Sequence, residues 1–172
     1  MQSTVVSSWN DFDPLKHAIV GRADFTCIPP SEPATEAKVP EDSDMRGMWG
    51  PRPLATVERA NAQLDNLVNL LESRGVRVDR PEPIQWNQAV NTPDFTTGSM
   101  FGCMPPRDVL LTVGKEILSA PMSFRCRYWE FLAYHTLMQR YFDEDPGFRW
   151  EQAPRPRLAD DSYQAGYFDE IT

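Results

Sequence analysis

The stretch Cys103-Met-Pro-Pro-Arg-Asp-Val-Leu-Leu-Thr-Val-Gly114 holds the densest local signals in the chain. Pro105 and Pro106 remove two backbone donors and fix their own φ, so Asp108 is expected on stiff extended backbone and not on a helix. Val109 to Val113 is an apolar run without clean alternation, closed by Gly114, which predicts a largely buried strand. A carboxylate therefore stands at the mouth of buried structure. Two readings of Arg107 and Asp108 follow: a turn residue beside a surface arginine, or a carboxylate aimed into a pocket.

Downstream, Ile117-Leu118 is expected to pair back as the second strand of a hairpin, with Pro121 stopping it. Ser123 is the candidate N-cap of a long helix, because Phe124, Tyr128, Phe131, Leu132, His135, Met138 and Phe142 recur at helical spacing. Trp129 and Leu137 broaden that face. A stripe of this kind reads as core and not as a cofactor box. Phe148 to Trp150 begins another strand after Pro146-Gly147, and the acidic tail to Thr172 has no regular period.

Upstream, Val5-Val6 and Ala18-Ile-Val20 are β-type segments separated by the Asx- and proline-built turn Trp9 to Pro14. Residues from about 27 to 53 form a proline-rich loop or lid, in which Met48-Trp49 is placed to cover something apolar. From Leu54 to Arg74 the pattern is helical, with Val57, Ala60, Leu64, Leu67, Val68 and Leu71 on one face and Gly75 as the stop. Val76 to Arg80 then alternates as a half-buried returning strand. Residues 81–100 are loop again, with Asp94 in a Thr-Pro-Asp-Phe turn. Two modules result, about 1–80 and 100–155, each of strands, loop, amphipathic helix and returning strand. Neither closes a sheet alone, which suits a ring of α/β units that bury their flanks on one another.

Composition narrows the classes of function. A chain of 172 residues is long enough for one domain with a true core. Its net charge of −8 gives no general attraction to phosphate backbones or anionic membrane surfaces. No stretch approaches the apolar length of a membrane span, and Asp11, Asp13 and Pro14 interrupt the start where a signal peptide needs its apolar core. The expectation is a cytoplasmic protein. Cys27, Cys103 and Cys126 are odd in number and far apart, which argues for three reduced thiols and against a disulfide framework or metal knuckle. His17 and His135 have no metal-ligand spacing, so neither metal nor cofactor is expected.

Four blocks together have a recognisable wording: Val6-Ser-Ser-Trp-Asn-Asp-Phe-Asp-Pro-Leu15 with Ile19-Val-Gly-Arg-Ala23, Met104 to Gly114, Ala120-Pro-Met-Ser-Phe-Arg-Cys-Arg127, and Ala153-Pro-Arg-Pro-Arg-Leu-Ala-Asp-Asp161. In order and spread they resemble the glycine amidinotransferase family, with Gly102 to Asp108 leaning towards the saxitoxin-biosynthesis branch. The resemblance implies an α/β fold that is part of a five-bladed α/β propeller of the pentein type, about two strand-helix-strand modules of it. It implies transfer of the amidino group of L-arginine to an amine acceptor through an amidino-cysteine intermediate. Both substrates are small molecules; no nucleic acid, membrane or cofactor is implied. Asp108 matches the family aspartate that grips the guanidinium, which is cationic, planar and suited to carboxylates. The family's catalytic Asp, His and Cys blocks lie beyond position 172, so residues 1–172 are expected to be an N-terminal portion with no catalytic residue of its own, inactive as given. A related guanidine-modifying hydrolase such as a deiminase, and a non-catalytic binding module, are the alternatives.

Overall fold

Residues 4–36, 40–44 and 46–163 are described by a computed structural model of the chain. The first strand, β1 (His17–Ile19), is followed by β2 (Cys27–Ile28), the single helical turn α1 (Pro33–Glu36), β3 (Gly50–Pro51) and the long helix α2 (Leu54–Ser73). Then come β4 (Arg77–Asp79), β5 (Val90–Asn91), β6 (Thr96–Thr97), the helical turn α3 (Pro106–Val109), β7 (Leu110–Val113), β8 (Glu116–Ser119), α4 (His135–Glu144) and β9 (Arg149–Gln152).

Two strand-helix-strand crossovers organise these pieces. β1 pairs in parallel with β4 across α2, with Ala18 opposite Val78. β8 pairs in parallel with β9 across α4, with Ile117 opposite Trp150. β7 adds an antiparallel edge to the second sheet, giving the order β7-β8-β9. A parallel pair needs a crossover of this length, and a helix is its usual form. The end of α2 shows why the chain can turn straight into β4. Gly75, at φ +78°, donates to Glu72 O, and Val76 donates to Leu71 O, which together satisfy the last carbonyls.

Several expectations are corrected. Pro105 and Pro106 do not carry Asp108 on extended backbone: Pro106 opens α3, where its missing N–H costs nothing, and Asp108 N–H donates to Pro105 O at 3.2 Å. The strand after it is not largely buried. Leu110 is, but Leu111 and Val113 stay more than half exposed because β7 is a sheet edge with one face uncovered. The long aromatic helix is broken into 3-10 turns at Arg125–Arg127 and Glu130–Tyr134 before α4 begins. Ser123 makes no cap; its carbonyl accepts the Tyr163 hydroxyl. Val5 and Val6 are buried without joining a named strand.

The long loop is tied down from within. β2 and β3 form a small antiparallel ladder, and buried Glu32 accepts the Arg125 N–H at 2.8 Å and the Cys126 thiol at 3.4 Å. Burial pushes the Glu32 carboxyl above its ordinary value against these bonds. Trp49 lies over Gly98, where an added Cβ would stand 3.1 Å from its ring. The segment 37–39, Met45 and the end of the acidic tail from 164 to 172 lie outside the described residues. Within the described tail, Asp160–Ser162 makes a 3-10 turn.

Trp86, Tyr134, Met138, Tyr141 and Ile117 are the largest apolar side chains fully removed from solvent, and they gather under the second sheet and α4. The two crossovers meet at a polar clasp. Asp79 of β4 receives the Tyr141 hydroxyl at 2.9 Å, lies 2.7 Å from His17 Nε2, and is flanked by the guanidiniums of Arg77 and Arg140. His135 instead packs edge-on against Trp150. No helix among the described residues is long and apolar enough to cross a membrane.

Candidate functional site

The site begins with a strap, Phe101 to Met104, pressed between the two crossovers. Phe101 O accepts the Cys27 N–H, Cys103 pairs across a bridge with Arg22, and the buried Tyr134 hydroxyl donates to Cys103 O at 3.0 Å. The fit at Gly21 is close enough to demand glycine. A Cβ there would stand 2.0 Å from Met104 O, a distance no side chain tolerates. The strap thus delivers Pro105-Pro106 and α3 at a fixed place, with Asp108 on its last turn.

Asp108 is one-third exposed and paired. Its Oδ2 accepts Arg127 Nη1 at 3.0 Å, whereas Oδ1 lies 3.8 Å from Nε of the exposed Arg107. Arg127 is in turn forked onto Glu130, Nε to Oε1 at 2.9 Å and Nη2 to Oε2 at 2.8 Å. Its guanidinium also lies over the Phe101 ring, 5.3 Å from the centroid, and Arg52 lies 5.9 Å from the same ring. One cation therefore serves two carboxylates, the first on α3 and the second in the following 3-10 turn. Burial opposes the Arg127 charge, but Glu130 and Asp108 outweigh it and hold the guanidinium above its ordinary value. Burial pushes Glu130 up to about 7, against the pull of Arg127.

Oδ2 of Asp108 accepts from Arg127, which orients the carboxylate, and Oδ1 faces Arg107 Nε at 3.8 Å, beyond hydrogen-bond distance. A cavity of about 250 Å³ under the long loop, lined by Met48, Arg52, Phe101 and Phe124 among others, does not include Asp108. The carboxylate sits beside Arg127 and not in that cavity.

Burial pushes the Cys103 thiol up to about 12 and raises those of Cys126 and Cys27 as well, which disfavours the thiolate form of each. All three are free and buried, as expected from their spacing. No cluster of three or more metal-binding side chains occurs among the described residues.

Of the positions singled out in the sequence, Asp108 stands on α3 paired with Arg127, and Arg107 beside it is almost fully exposed. Arg127 and Glu130 were missed as a pair. The available signal was their i,i+3 spacing, which the expected long helix made look like an ordinary surface pair.

No protein-family model matches the chain. It is 39% identical over 170 residues to the mitochondrial glycine amidinotransferase of Gallus gallus, covering 94% of this chain and 38% of that protein. Among solved structures it superposes on SxtG, an amidinotransferase of the saxitoxin biosynthetic pathway from Microseira wollei, with TM-score 0.80, 34% identity, and coverage of 94% and 45%. It also superposes on the inosamine-phosphate amidinotransferase StrB1 of Streptomyces griseus, with TM-score 0.84, 37% identity, and coverage of 94% and 46%. The chain spans less than half the length of each of these relatives, and within that span it is similar to amidinotransferases in both sequence and fold.

Proposed function

We propose that residues 1–172 form the N-terminal part of an arginine-dependent amidinotransferase, about two modules of a five-bladed α/β propeller of the pentein type. The observation that carries this is the match, over nearly the whole chain, to amidinotransferases whose names differ in substrate. A shared donor step fits that pattern better than a shared acceptor. L-arginine is the amidino donor, and a small amine such as glycine or a biosynthetic amine is the acceptor. Asp108, held in place by Arg127 through Oδ2, takes the donor guanidinium through Oδ1, which the exposed Arg107 faces at 3.8 Å without a hydrogen bond.

In the proposed reaction a cysteine thiolate attacks the guanidinium carbon, ornithine leaves, and the acceptor amine then takes the amidino group from sulfur. Burial disfavours the thiolate of each of its three cysteines, so residues 1–172 alone are expected to catalyse no such step. Purified chain should release no ornithine from arginine, and release abolished by Cys103→Ala or Cys126→Ala would overturn this. Three reduced thiols fit a reducing compartment. The cytoplasm is the proposed location, although the Gallus gallus relative is mitochondrial by name.

The test is to read the frame beyond codon 172, express the longer product, and supply arginine with amine acceptors. Ornithine together with an amidinated acceptor supports the proposal. Citrulline and ammonia formed without any acceptor would assign the protein to the deiminases instead.

A further inference from the structure

Glu130 is 1% exposed, and both its oxygens are committed to Arg127, with the Gly102 N–H as a further donor. Arg127 spends its remaining nitrogen on Asp108. With Glu130 ionised, the formal charges of the three groups sum to −1; with it protonated, they sum to zero. Arg107, which faces Oδ1 at 3.8 Å, is charged in both states, so a cation approaching Oδ1 meets a field more attractive by one negative charge when Glu130 is ionised. Glu130 itself cannot touch that cation, because Arg127 stands between them.

We propose that Glu130 is a positioning residue for Asp108, and that capture of a guanidinium at Asp108 is coupled through Arg127 to the proton on Glu130. The inference rests on the reading of Asp108 as a guanidinium contact. A bound cation favours ionised Glu130, so binding releases up to one proton to solvent, and affinity rises with pH across the range in which Glu130 ionises. That range lies near pH 7, where burial has pushed this carboxyl. The other titratable groups facing Glu130 are Cys103, Cys126 and Tyr134, all pushed up by burial and neutral throughout. Arg127 stays charged. Asp108 and Glu130 are therefore the two carboxylates that share its field.

A structural ion pair alone would make no such demand on ligand binding, and this separates the two roles. Carboxyl 13C NMR of the labelled longer protein, titrated with L-arginine between pH 5.5 and 8.5, reads both. The expected result is arginine affinity at Asp108 rising by about tenfold over that range, as for one pKa unit of coupling, and a flat profile at the low-pH affinity in Glu130→Gln. Asp108→Asn, at a partly exposed position, supplies the second reading without ligand. Removing that negative neighbour should lower the Glu130 midpoint from about 7. An arginine affinity independent of pH, or equally pH-dependent in Glu130→Gln, would overturn the proposal, as would a Glu130 midpoint unmoved by Asp108→Asn. Absence of any arginine contact at Asp108 at every pH overturns the guanidinium reading and, with it, the capture half of the proposal. The Glu130 midpoint still decides the coupling on its own.

Discussion

Helices α2 and α4 carry apolar patterns of the same kind and meet different surroundings. α2 has 20 residues and buries none of them, and Leu67 and Leu70 on its surface stay 43% and 51% exposed. α4 has 10 residues and buries Leu137, Met138 and Tyr141. Each bridges a parallel strand pair, but β1 and β4 are three residues long and form a sheet of two, whereas β8 and β9 belong to a sheet of three that backs onto the aromatic core. Periodicity tells which face of a helix is apolar. It does not tell how much surface the neighbours offer to cover it.

The ion pairs divide along the same line, and this gives the largest expected effect. Glu130→Ala strands Arg127 in a buried place and should cost about 3–5 kcal/mol. In the first crossover, Arg80 pairs with the largely exposed Asp65, and Asp65→Ala should cost under about 1 kcal/mol. Chemical denaturation of the two variants checks the ratio; equal losses would erase the contrast between the regions. Next comes packing. Met138→Ala should destabilise by about 2–5 kcal/mol, while Leu70→Ala on α2 should stay within about 0.5 kcal/mol, as surface changes do. A large loss at Leu70 would mean that α2 is covered in solution.

A smaller effect is expected from pH. The unfolded Glu130 carboxyl ionises near its ordinary 4.5, and the folded one holds its proton to about 7, so stability falls as pH rises through that window and then levels off. Glu130→Gln should remove this fall. Asp79 works in the opposite sense. Burial pushes its carboxyl up, but His17, Tyr141, Arg77 and Arg140 overcome that and hold it below its ordinary 3.8. Its contribution is present above the ordinary carboxylate range and is lost as pH drops below it. Thermal melts of Asp79→Asn should therefore lose stability at neutral pH and show a weaker acid dependence than the parent. An unchanged acid limb would show that the clasp holds no differential charge.

Much of this architecture was legible in residues 54–80 and 109–119. The Leu54–Ser73 helix, the Gly75 stop and the returning strand at Arg77–Asp79 follow from local spacing, because a long periodic run and a glycine are strong short-range signals. The hairpin at Gly114 was legible for the same reason. The α3 turn was not, since Pro106 fits extended backbone and the first turn of a helix equally well, and local spacing does not decide between them. The broken aromatic helix was likewise hidden. Arg125 and Cys126 are drawn out of helical register by contacts with Glu32, more than ninety residues away. At the candidate site, Asp108 was singled out by a family wording, whereas its link to the local Arg127–Glu130 pair exists only once the strap sets α3 beside them.

The most direct measurement of the account is arginine turnover by the longer proposed enzyme carrying Asp108→Asn, alongside its melting temperature. Asparagine keeps the size and one acceptor but removes the charge that faces the guanidinium. The account predicts kcat/KM for arginine lower by about two orders of magnitude, equivalent to about 3 kcal/mol, with the fold retained. Wild-type kcat/KM together with a much lower melting temperature would contradict it and leave Asp108 as a structural partner of Arg127.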